Sequence, residues 1–273
     1  MKITVLLENT TKDKRLKTKH GLSLHISTQK HTLLFDLGPG KQFLKNAETL
    51  GIDVSEADAA IISHGHDDHG GGLKAFLSAN SNATVYVRQS AFLPHYERGM
   101  KFANSIGLDR KLIKHPRILY TGEWFTIDDE LQVFSGAAND ELRPSNDGLF
   151  VETKSGMAND PFIHEQSLII SEGDKRVLIG GCAHNGIAGI LEKAELILGG
   201  EKITHVVSGM HLASPTDKLI ESEDYINRLA SKLNESSAQF YTCHCTGLSG
   251  YEKLSETMRD KIHYLAAGES IEI

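Results

Sequence analysis

The chain has little cysteine, no long apolar run and no excess of positive charge, and each shortage closes off a class of protein. Its three cysteines, Cys182, Cys243 and Cys245, are too few for a disulfide scaffold and fit a reducing compartment. Apolar runs such as AAII and LILGG are far too short to span a bilayer, which takes about 20 residues. The opening MKITVLLENT shows no cleavage pattern after its brief apolar stretch, so the expected location is cytoplasmic, away from any membrane. A formal net charge of −7 argues against a nucleic-acid partner, because holding phosphates needs clustered Lys and Arg. The one basic run, KDKRLKTKH at 12–20, reads as a solvated loop or as a place to meet an anionic small-molecule substrate.

What is there describes an ordinary globular chain, 40% hydrophobic and 24% charged, long enough at 273 residues to bury a core unaided. One domain over 1–273 is expected. KITVLLE, GLSLHIS and HTLLFDLG read as strands and KQFLKNAETLG as a helix stopped by glycine. DAAIIS, GLKAFLSA and ATVYVR continue as strand, helix, strand. The second half repeats this order. KRVLIGGCAH (175–184) matches HTLLFDLGPG, and ITHVVSGMH (203–211) lies over DAAIISHGH with Val206, Val207 and Ser208 on Ile61, Ile62 and Ser63. AQFYTCHC then echoes ATVYVRQS. Such a duplication predicts an α/β fold of two similar sheets packed face to face, with helices outside and a site where strand-end loops of the halves meet. Segments near 91–130 and 137–165 lack periodicity and read as inserted loops that shape the pocket.

The densest chemistry is SHGHDDHGGG at 63–72. His64 and His66 stand two apart directly after a strand, so on an extended backbone their rings point the same way and can share one ion. Asp68 and His69 follow where glycines turn the chain into a helix, and they suit a second ion. Imidazole and carboxylate ligands favour zinc, iron or manganese over calcium. Gly70, Gly71 and Gly72 would let the backbone pass tightly, and Asp67 is left to face solvent or to orient a ligand.

In FDLG (35–38), SHGHDDHGGG (63–72), IGGCAH (179–184) and HCTG (244–247) the sequence resembles the metallo-β-lactamase superfamily. Further marks, including MKITVLLEN, NAETLGID, GMHL and CHCTG, resemble a branch of metal-dependent hydrolases related to dihydropterin aminobenzene phosphate synthases. The resemblance implies a four-layer αββα sandwich with two divalent ions, zinc first among them, at one edge of the sheets. It implies that His64 and His66 bind one ion, that Asp68 and His69 bind the other, and that His244 completes the second site. The bridging aspartate common in the family is absent. His184 is the preferred third ligand of the first site, with Cys182 standing near the aspartate's place and His164 as the other choice.

Asp36 is expected to accept a hydrogen bond from a ligand histidine or a nearby N–H, and His211 to contact substrate or a developing oxyanion. Cys243 and Cys245, two apart, are expected on one side, packed behind His244. His20, His25, His31, His95, His115, His205 and His263 have no motif context, so ordinary roles are assigned to them. The chemistry expected is a metal-activated water attacking an ester, phosphoester or amide, anchored by Asp68. Two other readings stay open. One is a synthase displacing diphosphate from a pterin, with Phe92, Tyr96, Phe162, Arg88 and the basic run as candidate contacts; the other is a sensor without turnover.

Overall fold

The computed structural model describes residues 1–99 and 103–273. Among these, two seven-stranded sheets carry the same succession of strand directions. In the first, Lys2–Leu7, Ser23–Ser27 and Thr32–Phe35 alternate antiparallel, and Ala59–Ile61, Thr84–Arg88 and Ile118–Thr121 add in parallel. In the second, Leu131–Ser135, Gln166–Glu172 and Lys175–Ile179 are the antiparallel trio, followed in parallel by His205–Val207, Gln239–Thr242 and Ile262–Tyr264. Parallel neighbours need crossovers. The helices Gln42–Leu50, Leu73–Ala79, Ile187–Ile197 and Glu223–Glu235 lie in those connections.

Apolar residues on both faces of the central strands explain the layering. Leu33 and Phe35 point between the sheets and meet Leu168 and Ile179. Leu34, one residue away, points outward onto Phe43 and Phe76 of the first pair of helices. Likewise Val177 joins the inter-sheet core while Leu178 packs against Ile190 and Leu229. Three buried interfaces thus separate four layers, the αββα sandwich expected.

The duplication holds strand for strand but not residue for residue. Phe35 pairs with Ile61, and Ile179 pairs with Val207. With 175–184 laid over 31–40, Val207 therefore matches Ile61, one residue from the expected overlay. In a strand that slip exchanges the two faces, so the apparent match of His211 to His66 is not structural.

The two segments expected as inserted loops are only partly loops. Ile118–Thr121 is an edge strand of the first sheet, and Trp124–Thr126 an edge strand of the second. The remainder builds a separate four-stranded sheet in the order Gly156–Asn159, Leu149–Thr153, His95–Glu97, Asn104–Ser105. These strands are short and largely exposed, which hid their periodicity; residues 100–102 lie outside the described residues. No helix among the described residues is long and apolar enough to cross a membrane.

Asp36, Ser63 to His69, Cys182 to His184, His211 and His244 all lie just beyond the carboxyl ends of neighbouring strands, where open α/β sheets gather their ligand-binding residues.

Candidate metal centre

Four imidazoles are held with the same nitrogen turned inward. Asp36, fully buried, accepts the Ser63 N–H and Oγ–H, each at 2.7 Å, and His69 Nδ1–H at 2.6 Å. Because the Ser63 hydroxyl gives its proton to Asp36, its oxygen accepts from His64 Nδ1–H at 2.9 Å. Asn146 Oδ1 accepts from His184 Nδ1–H at 2.8 Å, and Asn9 Oδ1 accepts from His244 Nδ1–H at 3.0 Å. Each asparagine's amide orientation is set by its NH2 group, which donates to the carbonyl of the same histidine, at 3.0 Å for His184 and 3.1 Å for His244. With the proton on Nδ1, each of these rings in its neutral form turns an Nε2 lone pair toward the others.

The lone pairs fall into two groups. His64 Nε2 lies 3.1 Å from His66 Nδ1, and one ring nitrogen from each of His64, His66 and His184 lies within 4.8 Å of the others. His69 Nε2 lies 3.1 Å from His244 Nε2 and 3.1 Å from Cys182 Sγ. Asp68 Oδ2 stands 3.3 Å from His244 Nε2 and 3.5 Å from His69 Nε2. Cys182 also groups with His64 and with His184 and His211, so it stands between the two sets.

These residues fit divalent ions. The Nε2 of His184 is buried without a hydrogen-bond partner, a costly state for an isolated acceptor. Where both facing nitrogens are deprotonated, their lone pairs repel unless a cation takes both. The 3.1 Å nitrogen separations approach the edge of about 3.3 Å that a tetrahedral ion with bonds of about 2.0 Å would impose. Burial, helped by neighbouring imidazoles, holds His64, His66 and His184 well below the ordinary histidine value, so their rings are neutral. His69 differs: burial opposes its charge, but Asp68 and Asp36 outweigh it and hold the ring up to about 9.

Several residues here have left-handed backbone. Asp36, Ala183, His211 and His244 have φ between 50° and 59°, a conformation that costs non-glycine residues about 1–3 kcal/mol each. Buried carboxylates hold two of these turns. Glu165 accepts the His184 and Asn185 N–H groups at 2.7 and 2.8 Å, and Glu8 accepts the His244 N–H at 3.1 Å. Gly72 lets the ligand loop press on the turn before it, since a Cβ there would lie 2.2 Å from the Leu37 carbonyl oxygen.

Above both groups opens a cavity of about 680 Å³. Its floor includes His66, Asp68, Cys182, His184 and His211, and its walls include Glu97, Ile106 and Leu149 from the extra sheet and its flanks.

A family model described as the metallo-β-lactamase superfamily matches residues 20–195. The chain belongs to the metallo-β-lactamase superfamily. Along 100% of its length it superposes, with a TM-score of 0.83 and 30% identity, on 99% of the crystal structure of Tm1679, a metal-dependent hydrolase of the β-lactamase superfamily. Zinc-bound PqqB from Methylobacterium extorquens shares the fold at a TM-score of 0.60 and 12% identity, with each chain covered in full. Among curated proteins, an uncharacterised protein of Methanocaldococcus jannaschii is 28% identical, covering 93% of this chain and 94% of that one. The same organism's 7,8-dihydropterin-6-methyl-4-(β-D-ribofuranosyl)-aminobenzene-5′-phosphate synthase is 25% identical, covering 93% and 90%.

In this superfamily member the sequence-derived residues His64, His66, Asp68, His69, His184, His211 and His244 all come together. Both nitrogens of His164 are engaged, Nδ1 accepting the Gly65 N–H at 3.0 Å and Nε2 donating to Asp160 at 3.1 Å, in a cluster with His66, His95 and Asp160. The two C-terminal cysteines are not on one side. Cys243 lies in the inter-sheet core, whereas Cys245 lines the cavity, because the left-handed turn at His244 breaks the strand alternation. His20 is no ordinary surface histidine: its Nε2 lies 3.4 Å from Asp68 Oδ2 at the cavity wall. Of the synthase candidates, Lys19 and His20 of the basic run line the cavity, but the aromatic residues and Arg88 do not. Phe92 is in the core, Phe162 stacks behind His184 at 4.0 Å, Tyr96 bonds Glu152, and Arg88 binds the Thr121 carbonyl. Asn9, Asn146, Glu8 and Glu165 escaped the sequence reading, since single polar residues carry no motif.

Proposed function

We propose that the protein is a metal-dependent hydrolase acting on a small ester, phosphoester or amide-like substrate. The observation that carries this reading is the convergence of tautomer-locked imidazole lone pairs with Asp68 at the floor of a cavity. In this reading His64, His66 and His184 hold one ion and Asp68, His69 and His244 hold a second, zinc being favoured and iron or manganese also suiting the donors. Such ions supply an activated water and a Lewis acid. Asp68, its Oδ2 among three imidazoles, binds and orients the water. The His211 ring lies tilted against that of His184, with centroids 4.2 Å apart, and has an unpartnered buried Nδ1; it contacts the substrate where negative charge develops. The likeness to a solved metal-dependent hydrolase supports the same reading.

The test is elemental analysis of protein purified without added metal or chelator, followed by an ester, phosphoester and amide panel. About two ions per chain, with turnover abolished by chelation and restored by the metal, is the expected result. None or one, unchanged on reconstitution, would remove it.

A second reading, transfer of the pterin-synthase type, has the 25%-identical relative in its favour. That chemistry needs a flat aromatic slot. Among the described residues the cavity wall holds no phenylalanine, tyrosine or tryptophan. Product from a pterin diphosphate and an aminobenzene ribosyl phosphate, without ester hydrolysis, would reverse the ranking.

A further inference from the structure

Against the H-x-H loop, at Gly65, lies a buried network that the proposed hydrolysis does not use. Asp160, at the end of the extra sheet, is 6% exposed, and His95 and His164 are 0% and 1% exposed. Asp160 Oδ2 accepts from His95 Nδ1 at 2.8 Å and from His164 Nε2 at 3.1 Å, while its Oδ1 accepts the Phe162 N–H at 2.8 Å. His164 Nδ1 then accepts the N–H of Gly65 at 3.0 Å. His95 packs so closely on Gly65 that a Cβ there would meet its Nε2 at 2.6 Å.

We infer that Asp160 is a positioning residue for the first ligand group, acting through His164 on the Gly65 peptide, with His95 as a brace; this rests on the metal reading above. Gly65 is the residue between His64 and His66, and its peptide orientation sets whether His64 Nε2 and His66 Nδ1 face each other. His164 can accept the Gly65 N–H only while its own proton is on Nε2, and the Asp160 carboxylate holds that tautomer. An asparagine at 160 would keep an oxygen for Phe162 but turn an NH2 group toward both imidazoles. His164 would then have to accept at Nε2 and carry its proton on Nδ1, where it meets the Gly65 N–H donor to donor. Glutamine at 164 can still present an acceptor to Gly65 and a donor to Asp160.

The experiment measures zinc affinity at each of the two sites by chelator competition for wild type, Asp160→Asn and His164→Gln, with the cobalt(II) absorption spectrum of each. Expected is about 10–100-fold weaker binding at the first site in Asp160→Asn, with the second site and its cobalt bands unchanged and His164→Gln close to wild type. Wild-type affinity at both sites in Asp160→Asn would overturn the inference. So would loss of a third equivalent of zinc in His95→Phe, which would make the network a ligand set. If Asp160→Asn does not fold, nitrogen-15 NMR of the zinc-loaded wild type decides: His164 protonated on Nε2 supports the inference, and on Nδ1 overturns it. A wild type that binds no zinc removes the metal reading and the inference with it, a result distinct from a silent Asp160→Asn.

Discussion

Asn146 and His184 clasp one another twice: the asparagine oxygen takes the ring proton at 2.8 Å, and its amide group gives a proton to the histidine carbonyl at 3.0 Å. Asn9 and His244 repeat the arrangement at 3.0 and 3.1 Å. Each clasp joins ring tautomer and main-chain position in one contact, so the Nε2 lone pair cannot turn away without breaking the ring bond to an asparagine that its other bond holds in place. Asn146→Ala should weaken zinc binding at the first site by about 10–100-fold, measured by chelator competition. An affinity within a factor of about two would mean that packing against Phe162 alone holds the ring.

Asp68 is the one carboxylate in the second group. Asp68→Ala should lower the bound metal from two ions to one per chain and remove most turnover, read by elemental analysis beside a rate assay. Retention of both ions with unaltered rate would rule out its proposed role.

Asp36 accepts three hydrogen bonds while fully buried. Asparagine there would keep the Ser63 N–H bond but set an NH2 group against the Ser63 hydroxyl and His69 Nδ1. A loss of about 3 kcal/mol is expected for the metal-free protein by urea unfolding. A change under about 1 kcal/mol would show that the site relaxes around the amide.

Burial pushes the Cys182 thiol well above its ordinary value, so without an ion it stays protonated; a bound ion would deprotonate it. Cobalt(II)-loaded wild type should show a thiolate charge-transfer band in the near ultraviolet that Cys182→Ser lacks. A band that survives the substitution would assign the thiolate elsewhere.

His69 supplies a pH dependence. Its folded value of about 9 lies above the ordinary 6.5, so below about pH 9 the ring proton competes with an ion for Nε2. Zinc uptake at the second site should release a proton and tighten as pH rises toward 9, visible by calorimetry in buffers of different ionisation enthalpy. An uptake independent of buffer and pH would contradict it.

Local chemistry was legible in the sequence. Many of the strands of the two sheets and the ligand run from His64 to His69 announce themselves within a few residues, because hydrophobic period and ligand spacing are short-range properties; His184 and His244 follow only from the family resemblance, and His211 from an overlay that the structure shifts by one residue. The one-residue error in the overlay of the halves arose because apolar residues on both faces leave register unmarked. Cys243 and Cys245 were misjudged because alternation assumes an extended backbone, and His244 departs from it with φ 52°.

What the sequence by itself determined, then, is which residue types stand at the ends of which strands, and with them the superfamily. Which nitrogen of each ring faces inward was decided only by tertiary structure. The partners that settle it lie far along the chain: Asn9 is 235 residues from His244, Asp36 33 from His69, and Asn146 38 from His184. A histidine has two nitrogens and no intrinsic preference strong enough to choose between them. The choice falls to whichever acceptor the folded chain brings to Nδ1, and only the packing of two sheets and the extra one beside them puts those acceptors in place.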